Sequence, residues 1–340
     1  MPLTAETPLE QGLILQITPL KVARVYQIWG MDGSSIVLKW EIGMDKRFMK
    51  EGSELIGQID SLAKPVPLRG GERHELMRWC KDKMEWISRA RRLQNSPNHD
   101  KRLYDAAQQV EILANDPKQH GFKLRLLRVS ALDEAIQAFD ERGESKPLRS
   151  IAKVLLAHDG LEQLGRVVAL DLVLGNMDRF DPQLRKPNQV KLGSKTLSLK
   201  AVANVANLMI VTGGERWSIT ALDSFDNFSK WNKDTGKAFS SLSNAIEVSP
   251  LTFLVQNSLR ERYAENIIDD LQALFAPSKR SLFPLFGRKE RDRLLWGMID
   301  GGIQTRERLK TYIRGRVQNK GATIHDRWAE TLELLGKLHH

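Results

Sequence analysis

Six side chains, taken in chain order, have the types needed to move a phosphoryl group: Lys39, Glu51, Glu54, Asp178, Asn207 and Asp223. Transfer from a nucleotide asks little covalent chemistry of a protein. Its apparatus is electrostatic: a lysine on the phosphates, a carboxylate orienting that lysine, an Asn and an Asp for metal, and a base for the acceptor hydroxyl. Lys39 sits among apolar neighbours in Ile36-Val37-Leu38-Lys39-Trp40, as a phosphate-binding strand lysine should, although an edge-strand lysine facing water has the same signature. Glu51 and Glu54 are three residues apart on one helix face, and either can reach back to Lys39. Asp178 leaves an apolar helix through Gly175-Asn176-Met177 and so stands at the mouth of a loop, where a carboxylate can accept a hydroxyl proton. Arg179 beside it either anchors the loop or binds a phosphate; in isolation the pair reads as a surface ion pair. Asn207 opens the run NLMIV and Asp223 closes WSITALD, 223 − 207 = 16 residues apart. A hairpin would bring the two together as hard ligands for magnesium.

These residues need elements to hold them. Residues 13–42 are rich in Val, Ile, Leu, Tyr and Trp and broken by Gly30-Met31-Asp32-Gly33-Ser34, which predicts three antiparallel strands with Lys39 on the third. After Gly43 the spacing of Phe48, Ile56 and Ile59 predicts a helix carrying Glu51 and Glu54, ending before Pro65-Val66-Pro67. A charged helical stretch follows from about residue 72 to 115, taken as an insertion. Residues 122–129 (FKLRLLRV) alternate apolar and basic, predicting a strand with one buried face, and SALDEAIQAF then starts a helix with Ser130 as N-cap. Residues 161–174 form a helix apolar almost all round, expected at the centre of a lobe and stopping at Gly175. A polar stretch runs to about residue 195; NLMIV and WSITALD, separated by Gly213-Gly214, read as a small hairpin. The rest, from about residue 237, is expected to be helical with basic faces.

Composition sets the limits. With 340 residues and 41% hydrophobic content the chain can bury one large core or two modest lobes. It has no apolar run long enough to cross a membrane, and its first residues lack a basic start and an apolar signal core, so neither a span nor a secretory signal is expected. The single cysteine, Cys80, excludes an internal disulfide framework, and no zinc spacing surrounds it; a cytoplasmic location fits best. The net charge of +10 favours phosphate-rich or acidic partners. Its densest stretches, RARR at 89–92 and KRSLFPLFGRKERDR at 279–293, are first of all solvated helix faces, and no repeat or finger spacing indicates specific nucleic-acid binding.

The segment LDLVLGNMDRF resembles the catalytic loop of atypical kinases, being closest in wording to the GNMDRH segment of the secretory-pathway casein kinase family. It is also similar to the loops of actin-fragmin kinase, type II phosphatidylinositol 4-kinases and HipA-type toxins. The resemblance is close over this motif and extends from residue 13 to 275 by order of elements. It implies an α+β, bilobal protein-kinase-like fold with a small β-rich N-lobe and a larger, mainly helical C-lobe. The expected boundaries are a tail at 1–12, the N-lobe with its insertion at 13–129, and the C-lobe at 130–340. The resemblance makes Asp178 the catalytic residue and Asp223 a metal ligand, with ATP and magnesium as cofactors. It also favours Glu51 over Glu54, because the distance from Glu51 to the Pro65-Val66-Pro67 break is similar to that in bacterial and lipid-type relatives.

Three departures stand out. Thr18-Pro19-Leu20-Lys21 replaces a glycine-rich loop; the long interval between Asp178 and Asn207 leaves Asn188 and Asn204 as alternatives to Asn207; and Ser224-Phe225-Asp226-Asn227 follows Asp223 in place of Phe-Gly, with Asp226 as a second candidate ligand. The expected activity is transfer of the ATP γ-phosphate to a protein hydroxyl. The alternatives are a phosphoinositide kinase, for which 279–293 would meet an anionic membrane, a pseudokinase scaffold, and a kinase-fold AMP transferase. Lys39, Asp178 and Asp223 occurring together speaks against the scaffold. On analogy alone, a toxin kinase or an effector delivered into a host cytosol is the biological setting.

Overall fold

This computed structural model describes residues 2–20, 24–42, 46–60, 63–94, 99–127, 129–157, 159–184, 186–211, 218–220, 250–275, 286–318 and 326–338. The chain is α+β, a small antiparallel sheet followed by a mostly helical remainder, an order compatible with a bilobal fold. It divides into two units, residues 1–57 with 63–126, and residues 58–62 with 127–340. No helix among the described residues is long and apolar enough to cross a membrane.

In the first unit the three predicted strands form as β1 (Ile14–Pro19), β2 (Val25–Gly30) and β3 (Ser35–Ile42). Gly33 takes the left-handed conformation in the β2–β3 turn (φ 81°), which a side chain would resist. Helix α1 (Lys46–Ile59) follows, then the short β4 (Val66–Pro67), α2 (Gly70–Gln94), α3 (His99–Asn115) and β5 (Gln119–Arg125). The strands lie antiparallel in the order β1-β2-β3-β5-β4. Side chains alternate between faces of a sheet. Tyr26, Ile28, Ile36, Leu38 and Trp40 thus share a core with Leu76, Trp79 and Cys80 of α2 and Ala107 and Val110 of α3. Lys39, in register with Val25 and Phe122, belongs to the opposite face. Helical residues 72–115 are therefore no insertion hung from the unit: two helices supply six of the fifteen described buried residues of its core, with Trp79 Nε1 donating to the Ile14 carbonyl at 2.8 Å.

Two further expectations are corrected here. Residues 1–12 are not a tail, because Leu3 and Leu9 are buried in the same core. The strand expected at 122–129 is β5 at 119–125 plus a separate short strand, and it has two buried faces: Phe122 and Lys123 are both inaccessible. A buried ammonium needs partners. Lys123 Nζ has Glu72 Oε1 and the Thr7 carbonyl, each at 2.6 Å, and Glu72 in turn accepts from the Leu9 and Arg69 amides.

The second unit contains β6 (Val129–Ala131), α4 (Leu132–Arg142), α5 (Ser145–Leu156), α6 (Gly160–Leu174), β7 (Asn188–Leu192), β8 (Lys195–Leu199), a 3-10 turn at Val205–Asn207, β9 (Met209–Val211) and β10 (Ser218–Ile219). It is completed by α7 (Thr252–Val255), α8 (Asn257–Phe275), α9 (Arg288–Gln318) and α10 (Asp326–Leu335). Ser130 does not cap α4; it lies in β6, and Ala131 is the N-cap residue, without a side-chain bond. The predicted hairpin exists as β9–β10, with β6 as its third strand. The polar stretch before residue 195 holds a second hairpin, β7–β8, turning at Gly193 (φ 61°).

Helix α6 is buried on nearly every side, as its composition predicts. It packs backbone to backbone on α9. A Cβ added at Gly165 would stand 2.4 Å from the Leu294 carbonyl oxygen, and one at Gly297 would stand 2.2 Å from that of Glu162. Arg166–Asp300 (2.6 Å) and Arg293–Glu162 (2.8 Å) pairs flank this contact.

Candidate active site

Helix α6 ends because Gly175 adopts the left-handed conformation (φ 73°), closing the last turn. The Asn176 amide then turns back to the Asp171 carbonyl at 2.8 Å. The Asn176 side chain is wholly buried and works in both directions: its Nδ2 donates to Asp171 Oδ1 (3.2 Å), and its Oδ1 accepts from the Asp178 amide (3.0 Å). That Asx turn aims residues 177 and 178 outward, and Asp178 is half-buried. Arg179 points inward and is 1% exposed; its guanidinium bonds the Asp171 carboxylate and donates from Nε to the Asn207 carbonyl at 2.8 Å. Of the two roles open to Arg179, anchoring is the one the geometry shows. Asn207, held by that bond, donates from Nδ2 to the Asp178 carboxylate.

The segment that returns to Asn207 is fixed just as firmly. Asp181 N bonds the Ala201 carbonyl (2.8 Å), Ala203 N bonds the Arg179 carbonyl (3.1 Å), and Phe180 bridges to Val202. From α8, the buried Asp270 accepts the amides of Lys200, Ala201 and Val202 at 2.7–2.9 Å. Burial pushes the Asp270 carboxyl up, against the opposing effect of those amides. Tyr263, also on α8, is buried among the same groups. Burial drives its phenol well above 10, the Asp181 and Asp171 carboxylates adding to the rise and Arg179 opposing it.

The candidate residues are placed as follows. Asp178 and Asn207 are brought together, although Asn207 closes the 3-10 turn and does not open β9. The alternatives have other work: Asn188 Nδ2 donates to the Val202 and Ala203 carbonyls (3.2 and 3.0 Å), and Asn204 Oδ1 caps the 3-10 turn through the Ala206 amide (3.0 Å). Asp223 and Asp226 lie outside the described residues, as do residues 279–285 of the basic stretch proposed for membranes. Within the same stretch Arg293 is committed to Glu162. In the first unit Lys39 pairs with Glu41 at 2.8 Å, a partner not weighed from sequence. Burial separates the two helix glutamates: Glu51 is 2% exposed, Glu54 half-buried.

Sequence reasoning missed Asp171, Asn176, Asp270 and Tyr263. One signal was present for the first: Asp171 is the lone charge late in an otherwise apolar helix, eight residues before an arginine. A buried carboxylate requires a partner, and Arg179 is the nearest cation following it. The donor chemistry suits magnesium in part. With its Nδ2 turned to Asp178, the amide oxygen of Asn207 remains as a hard ligand, and the Asp178 carboxylate is adjacent. Among the described residues no group of three or more His, Cys, Asp or Glu gathers to hold a metal. Comparison with known proteins gives no matching family model, curated protein or solved structure.

Proposed function

We propose that the chain is a magnesium-dependent phosphotransferase of the atypical kinase type, moving the γ-phosphoryl group of ATP to a hydroxyl of a protein substrate. The observation that carries this is the hydrogen bond between Asp178 and Asn207, made on a loop whose backbone is tied down by Asn176 and by the buried Arg179–Asp171 pair. Preorganisation of this kind is what a positioned base requires. Asp178 takes the acceptor's proton as the new oxygen–phosphorus bond forms and the bond from the γ-phosphorus to the bridging oxygen breaks, leaving ADP. Asn207 orients that carboxylate and, with Asp223, is assigned to magnesium. The metal supplies charge that offsets the phosphate oxygens. Lys39 is assigned to the phosphates and Glu51 to orienting it. Lys39 on the third strand and a buried glutamate on the next helix support the assignment.

The test is incubation with Mg-ATP labelled in turn at the γ and α phosphates, for wild type, Asp178→Ala and Asp223→Ala. Incorporation of γ label should fall at least about a hundredfold in both variants. Transfer of α label instead would identify AMP transfer. Absence of ATP binding, or undiminished transfer in both variants, refutes the proposal.

A further inference from the structure

The chain between Asp178 and Asn207 carries a hairpin with an unusual charge. Residues 182–200 contain Arg185, Lys186, Lys191, Lys195 and Lys200 and no Asp or Glu, whereas the whole chain has 52 basic and 42 acidic residues. The register of β7 and β8 sorts their side chains. Val190, Leu192 and Leu199 are buried; Gln189, Lys191, Thr196 and Ser198 are exposed and make the other face. Lys186, Lys195 and Lys200 are exposed around it. Lys191 pairs with Asp140 at 3.6 Å and Lys200 with Asp269 at 3.8 Å, and because both lysines are solvent-exposed these surface pairs are weak. The hairpin is rigidly joined to the Asp178 loop through the Phe180–Val202 bridge, the Asn188 side chain and the grip of Asp270 on residues 200–202.

We propose that the β7–β8 hairpin is the acceptor-docking surface of the Asp178 site and selects a polypeptide segment whose hydroxyl residue is flanked by carboxylates. The inference rests on the phosphotransferase reading and names its substrate class. Charge complementarity argues for acidic flanks. The two-stranded sheet leaves an outer edge on each strand, among the described residues, where an extended peptide can add. A bilayer is disfavoured because the exposed face has no apolar side chain to enter it.

The experiment measures fluorescence anisotropy of two labelled serine peptides, one flanked by glutamates and one by lysines, with the full chain. Binding of the acidic peptide should weaken as salt rises, and Lys191→Glu/Lys195→Glu should weaken it by about tenfold or more. Lys101→Glu/Lys118→Glu, exposed positions in the first unit, should leave it unchanged. Equal loss in both double variants, equal affinity for the lysine-flanked peptide, or binding only to phosphatidylserine vesicles overturns the docking surface. A γ-label assay with the acidic peptide separates the two proposals. Specific binding without transfer removes the phosphotransferase reading and upholds the hairpin's selectivity; transfer undiminished in Lys191→Glu/Lys195→Glu does the reverse.

Discussion

Replacing Arg179 by Met keeps an unbranched stem at a fully buried position and removes its charge. Two groups lose a bond: the Asp171 carboxylate loses its guanidinium, and the Asn207 carbonyl loses the Nε donor at 2.8 Å. Breaking a buried ion pair from one side costs about 3–5 kcal/mol, and an orphaned carbonyl about 1–3 kcal/mol. Because one guanidinium serves both, the sum overcounts, and about 4 kcal/mol is expected, close to a thousandfold in the folding constant. Asp171→Asn removes the countercharge of the arginine instead, keeping an acceptor for Asn176. The double variant removes both charges and should be less destabilised than the sum of the singles by about 2 kcal/mol. Urea unfolding followed by tryptophan fluorescence gives the free energies, and hydrogen exchange should localise the lost protection to residues 171–207. A loss below about 1 kcal/mol for Arg179→Met, or strict additivity in the cycle, would refute the claim that this pair organises the loop.

Burial raises the Glu72 carboxyl, but the Lys123 ammonium and the Arg69 and Leu9 amides outweigh it, holding the group below its usual 4.5. A depressed native pKa gives stability that is complete above the unfolded value and lost as pH falls through the native one. The urea midpoint should therefore drop below about pH 4.5, and Glu72→Gln should flatten that limb while costing about 3–5 kcal/mol at neutral pH, since it removes the countercharge of the buried Lys123 and leaves the Thr7 carbonyl bond. Cys80 is inaccessible, with burial pushing its thiol up to about 12, helped by Glu111. It should resist a disulfide reagent at pH 8 in the native protein and titrate fully in guanidinium. Gly165→Ala drives a methyl into the Leu294 carbonyl and should cost about 1–3 kcal/mol by chemical denaturation. Gly315→Ala, on the same α9 but with nothing within 4 Å, should stabilise by about 0.5–1 kcal/mol.

Local signals were legible in the sequence where a residue's consequence is confined to its neighbours. Gly175 stops α6, Gly33 turns β2 into β3, and the apolar run at 161–174 is central to its unit. What escaped depends on partners far along the chain. Lys123 looked like the solvated member of an alternating strand because nothing nearby in sequence announces Glu72, 51 residues earlier. Leu3 and Leu9 looked like a tail because the helices that cover them come more than sixty residues later. The β7–β8 hairpin was missed for a different reason: Gly193-Ser194 is a sound turn signal, but its strands are too polar on one face to register as apolar runs. At the site, the side chains expected to react were identifiable by type, whereas those that aim them were not. Asp270 reaches residues 200–202 from about seventy positions away.

The bond from Lys123 to the Thr7 carbonyl spans 116 residues, and it sets an order of events during synthesis. At about 5–20 residues per second, the carbonyl waits roughly 6–23 s for its lysine to be made. The central β3 likewise lacks its β5 neighbour until both long helices have been made. The sequential strands β1 to β3 can pair early, but the first unit cannot be completed until β5 is made, after a period in which Tyr26, Ile28, Ile36 and Leu38 are without their cover. A synonymous slow-down placed before residue 123 would lengthen that exposure, while one placed after residue 126 has left the ribosome would leave it unchanged.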